Sequence, residues 1–171
     1  MKHLKFILLF ILFTSSGYTE TKAQQNIAFA DIDLIIKNTN AGKATLEKIN
    51  KVNKENIEKL KSFEKEIKTE EDKINKKKNL ISSEEFQKEI NKLRIKLNEF
   101  NTNKDLMSNS FKIMKSKELE NLFKIINPVI QNYMNENSVQ ILLNSKNIFM
   151  GKKEIDLTQQ LIDEINKQVK Q

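Results

Sequence analysis

The chain has 171 residues with no cysteine, one histidine (His3) and one arginine (Arg94), so disulfides, thiolate nucleophiles and cysteine-ligated metals are excluded, and Ser-His catalysis is too if His3 is removed with a leader. Basic residues number 30 against 23 acidic, a net charge of +7 that favours anionic partners. With 3 glycines and 1 proline there is little room for a loop-rich enzyme fold, and long helices are expected, without catalytic residues, metal or cofactor.

Residues 1–23 carry the pattern of a cleavable signal peptide. Lys2 and Lys5 give a basic start, and residues 6–13 (FILLFILF) are apolar but too few to span a bilayer. A small, polar stretch follows, with Ala23 as the best cleavage point and Ser16 or Gly17 as rivals. No cysteine stands after the apolar run to carry a lipid anchor. Removal of residues 1–23 takes away Lys2, Lys5, Lys22 and Glu20, leaving 27 basic and 22 acidic residues, a charge of +5. Export of this kind places the protein in the bacterial periplasm and argues against nucleic acid as a physiological partner.

Residues 27–31 (IAFAD) read as a short buried strand, and Ile32, Ile35 and Ile36 share one face of a helical turn. Asn38, Thr39 and Asn40 form a polar break with capping side chains. From Ala41 the pattern is helical for about forty residues, with Leu60, Ile67, Ile74 and Ile81 at strict seven-residue spacing. Its far end is polar and basic, with Lys73, Lys76, Lys77 and Lys78 close together. Ser82 and Glu85 then fit a capping box that opens a second helix. On it, Phe86, Ile90, Leu93, Leu97, Phe100, Met107, Phe111 and Met114 make a heptad seam that only Lys104 interrupts. The three-four spacing slips before Leu119 and resumes through Tyr133, and Pro128 predicts a kink or break near Ile125. Residues 139–143 (VQILL) and 148–150 (IFM) read as two short strands forming a hairpin around a turn at 144–147. Asp156 or Thr158 caps a last amphipathic helix.

Two long helices joined by so short a turn form an antiparallel hairpin. The expected fold is α+β and predominantly helical. A discontinuous, β-containing body comprises residues 24–40 and 134–171, and a helical-hairpin arm comprises residues 41–133, with its turn near 79–83. Three short strands seldom make an independent core, so self-association through the body is expected. A two-helix arm covers only one side of each seam. Phe63, Phe86, Phe100, Met107, Phe111 and Met114 either pack within the hairpin or turn an apolar surface toward a client. The lysines at 73–78 form a solvated tip or a contact for acidic headgroups.

In this order, Ile27 to Asp31, Ile35, Ile36, Ala41, Gly42, Lys43, Ala44 and Leu46 open the chain in a manner that resembles the Skp/OmpH family of periplasmic chaperones. The back end agrees, with Ile126, Pro128 and Ile130 before Tyr133, then residues 139–143, then Asp156, Leu157 and Thr158 before the last helix. The resemblance spans essentially the whole mature chain and rests on the combination, since no single motif is sharp. It implies a homotrimer with a β-rich body and helical arms that enclose a cavity. Unfolded outer-membrane β-barrel proteins would be held there without ATP, so that they do not aggregate before membrane insertion. It also implies that Ile27, Phe29, Val139, Ile141, Leu143, Ile148 and Met150 lie at the subunit interface. A lipopolysaccharide or anionic-membrane contact would be carried here by lysine, because Arg94 stands alone. A structural or adaptor coiled coil of the envelope is the alternative reading.

Overall fold

The computed structural model describes residues 26–169; the expected signal peptide lies outside them. In chain order they form β1 (Ile27–Ala30), α1 (Ile32–Asn38), α2 (Asn40–Lys77), α3 (Ser83–Glu136), β2 (Ile141–Asn144) and α4 (Thr158–Gln168). Single 3-10 turns occupy Ser145–Asn147 and Lys153–Ile155. The fold is α+β and predominantly helical, as expected.

Local chemistry sets most of the helix ends. Asp31 starts α1 by accepting from the Leu34 N–H through Oδ1 at 3.0 Å. Thr39 is fully buried and serves two helices. Its N–H donates to the Ile35 carbonyl at 3.0 Å, ending α1, and its Oγ1 accepts from the Gly42 N–H at 3.2 Å, starting α2. Gly42 is required there, since a Cβ would sit 1.9 Å from the Ile36 carbonyl oxygen. At the head of α3 the capping box is complete: Ser82 Oγ accepts from the Glu85 N–H, and Glu85 Oε2 accepts from the Ser82 N–H.

The far end of α3 closes with a Schellman motif. The Val139 N–H donates to the Met134 carbonyl at 2.9 Å and the Ser138 N–H to the Asn135 carbonyl at 3.3 Å. Ser138 carries the left-handed conformation this motif needs, with φ of 56°. The strand expected from Val139 therefore begins two residues later, at Ile141.

The break allowed for near Ile125 does not occur: α3 runs unbroken from Ser83 to Glu136 through Pro128. Leu122, Ile126 and Val129, on either side of the proline, are all buried in the same core, and that packing holds the helix together across the missing hydrogen bond. The hairpin of residues 139–143 and 148–150 is also absent. β2 pairs in parallel with β1, in the register Ile27 with Ile141 and Phe29 with Leu143. Asn144 Oδ1 accepts from the Lys146 N–H at 3.1 Å and turns the chain into a 3-10 helix instead of a tight hairpin turn. The other side of β1 is taken by Asp156, which bridges to Phe29, with the Leu157 N–H donating to the Phe29 carbonyl at 2.9 Å.

A parallel strand pair needs a crossover between its members. Here that crossover is the whole α1–α3 segment, so the strand pairing gathers both feet of the long hairpin. The main core lies at those feet. Ala30, Ile35, Leu122, Ile126, Val129, Leu161, Ile162 and Ile165 pack into one buried cluster. Asn40 and Asp31 tie the same region to α4. The Asn40 N–H donates to Asn166 Oδ1 at 2.7 Å, and the Asp31 N–H to Thr158 Oγ1 at 2.9 Å.

Candidate functional site

Beyond the core the hairpin of α2 and α3 continues as an arm. At 1.5 Å per residue, the 38 residues of α2 extend about 57 Å. Its burial is sparse. Ile49, Ile74 and Leu93 are the buried apolar side chains of this stretch among the described residues. Two ion pairs cross between the helices, Lys48 to Glu118 at 2.6 Å and Lys96 to Glu70 at 3.0 Å. From Lys48 to Glu70 is 22 residues, as it is from Lys96 to Glu118, so the antiparallel register holds across that span. The Lys96 ammonium, by hydrogen bond and charge, holds the Glu70 carboxyl below its ordinary 4.5. Beyond Glu118 the partner of α3 changes. Leu122 and Ile126 meet α4 and β1 in the body core.

Of the six side chains read as either packed within the hairpin or turned toward a client, Phe63 is 44% exposed. Phe86, Phe100, Met107, Phe111 and Met114 are half-buried, packed on one side and solvated on the other. The helical seam thus neither closes over them nor leaves them free. Ile95, Leu106 and Ile113, not among the expected residues, are more exposed than any of the six; Ile113 reaches 70%. Spacings of eleven and seven residues put these three on one face of α3, away from the seam. That signal stands in the sequence, and the stronger heptad beside it masks it.

The arm tip spans residues 78–82 between the helices. Lys73, Lys76 and Lys77 at the end of α2 and Lys78 in the turn are all exposed, and Leu80 in the turn is 81% exposed. The Leu80 and Ile81 N–H groups donate to the Lys77 carbonyl at 2.8 and 3.2 Å, which fixes the turn.

The body carries the third surface. Alternation along the two strands sends Ala28, Ala30, Leu142 and Asn144 inward, and Ile27, Phe29, Ile141 and Leu143 onto the outer face. Of the residues expected at an interface, Ile27, Ile141 and Leu143 are exposed, and Phe29, Val139 and Ile148 are half-buried. The Phe29 ring lies over Gly151, where a Cβ would come within 2.5 Å of it. Met150 is 83% exposed, and its neighbour Phe149, missed by the sequence reading, is fully exposed at 101%. The loop carrying them is tethered at its start: the Lys146 ammonium pairs with the Asp33 carboxylate, lowering the Asp33 pKa and raising that of Lys146. Among the described residues, no group of three or more acidic, His or Cys side chains is placed to hold a metal. No described helix is long and apolar enough to cross a membrane.

A family model described as outer membrane protein (OmpH-like) matches residues 26–165. Among solved structures, the chain is similar to a candidate OmpH-like outer membrane chaperone from Caulobacter crescentus CB15, with a TM-score of 0.73 at 15% identity. That likeness covers 86% of this chain and 87% of the other, and at this identity it speaks for the fold. No curated protein matches.

Proposed function

The chain belongs to the OmpH-like family, and from that premise we propose that it is a periplasmic, ATP-independent holdase for unfolded outer-membrane β-barrel proteins. Residues 1–23 direct export and are removed. Three copies associate through the outer faces of their sheets, and their arms enclose the client. The observation that carries the reading is the arm. A hairpin this long buries few apolar side chains and keeps most of its seam, with Ile95, Leu106 and Ile113, in reach of solvent. An isolated structural rod would be expected to close its seam or show an apolar stripe fitted to one partner.

Such a surface suits clients with no fixed shape. Each apolar contact contributes about 25 cal/mol per Å² removed from water, so weak contacts spread along an arm add up for clients of different lengths. The charge of +5 over residues 24–171 draws in acidic segments and anionic surfaces from a distance and weakens with salt. Contact of the lysine tip with anionic lipid or lipopolysaccharide belongs to the same reading.

The test is dilution of a urea-unfolded β-barrel protein into buffer holding the mature chain. Light scattering should stay low at one trimer per client. Aggregation equal to that in buffer alone would remove the holdase reading and leave the envelope adaptor.

A further inference from the structure

The interruption of the seam at Lys104 makes a place. At that level an open-sided cleft of about 260 Å³ lies between α2 and α3. Ile57, Leu60, Met107 and Phe111 supply its apolar walls, and Lys104 supplies the one charge of its lining. Asn53, Asn56 and Ser108 complete it, so no carboxylate faces the lysine from within. Lys104 also has no ion pair among the described residues, whereas Lys48 and Lys96 on the same arm do. An apolar side chain at position 104 would continue the seam and fill the gap. A lysine cannot, because its ammonium stays in water while its stem lies along the wall.

An apolar cavity of about 150 Å³ is enough to take up benzene, so this cleft has room for one aromatic or branched aliphatic side chain. We infer that it is a client subsite: it takes one apolar side chain of an extended acidic segment, whose neighbouring carboxylate meets Lys104. The charge complementarity selects this occupant. The lining offers a cation and amide groups and nothing that would hold a basic segment. The inference rests on the holdase reading and deepens it, since it gives otherwise diffuse binding along the arm one preferred anchor.

The probe is a blocked pentapeptide with phenylalanine between two aspartates, titrated into the full mature chain. Methionine carrying a 13C methyl group reports the binding. Met107 lines the cleft, and Met134, about 40 Å further along α3, is the internal reference. Saturable shifts at Met107 and none at Met134 are expected. Lys104→Gln, a change at an exposed helical position that helicity by circular dichroism should not register, should weaken binding roughly threefold, the size of an exposed ion pair. Lys104→Arg should retain it. Replacing both aspartates by asparagine should match the loss seen with Lys104→Gln, and replacing phenylalanine by alanine should abolish the Met107 shift. Absence of a saturable shift, or equal affinity in Lys104→Gln, would overturn the subsite. Those outcomes leave the holdase reading intact if aggregation is still suppressed. Failure to suppress aggregation removes that reading whatever the peptide does.

Discussion

Ser138 and Gly42 show how much a single backbone position decides. Ser138 sits at φ of 56° because the Schellman motif at the end of α3 needs a left-handed residue. A non-glycine residue pays about 1–2 kcal/mol for that conformation, partly offset by the extra freedom glycine has when unfolded. Ser138→Gly should therefore raise stability by about 0.5–1 kcal/mol, read as a shift of the urea midpoint at constant slope. Gly42 has the opposite constraint. A methyl group there meets the Ile36 carbonyl, which belongs to backbone and cannot rotate away. Gly42→Ala should cost about 2–3 kcal/mol by the same measurement, the upper range for overpacking. In the sequence Gly42 stands out only as one residue of the opening run that carries the family resemblance. Its role depends on where α1 ends, which no local pattern states. Lys104 is the reverse case: its break in the heptad is plain in the sequence, and only the facing helix shows that it opens a cleft.

At the scale of elements, the helices follow from short-range chemistry and the strands do not. The capping box at Ser82 and Glu85, the Thr39 cap and the heptad spacing all act within a turn or two, and each stands where it was expected. Pro128 obeys its local rule only in part. It removes a hydrogen bond from α3, but Leu122, Ile126 and Val129 hold the helix against the core. Pro128→Ala should stabilise the protein by about 1–3 kcal/mol by thermal or urea unfolding, because the intrinsic cost of proline in a helix disappears while the packing remains. The arm's ion pairs add a pH dependence. The folded-state pKa of Glu70 is depressed by Lys96, so its contribution is present above 4.5 and is lost as pH falls through the lower folded value. An NMR titration should place the Glu70 midpoint below 4.5. Lys96→Gln should return it toward that value, since the lysine is the principal cause.

For the whole molecule, the outer face of the body is where the proposed assembly would form. Its sheet has two strands, and their outer face presents Ile27, Ile141 and Leu143 beside the exposed Phe149 and Met150. Such a face invites covering, and the proposed trimer would cover it. In analytical ultracentrifugation the mature protein should sediment as a trimer. Ile141→Lys, which sets a charge on the outer face and leaves the inward Leu142 in place, should shift it to monomer with helicity retained. A wild-type monomer at micromolar concentration would remove the assembly from the proposal.

From the sequence alone come the long charged helices, their caps, the seam on α3, the strand at residues 27–30 and the lack of any cysteine. These rest on composition and on interactions between residues a few positions apart. The parallel pairing of β1 with β2, the continuity of α3 through Pro128 and the half-burial of the seam were decided only in the tertiary structure. Each depends on a partner far along the chain. A short apolar run such as residues 148–150 has no preference strong enough to choose its neighbour, and once Asp156 lies beside Phe29 that side of β1 is already occupied.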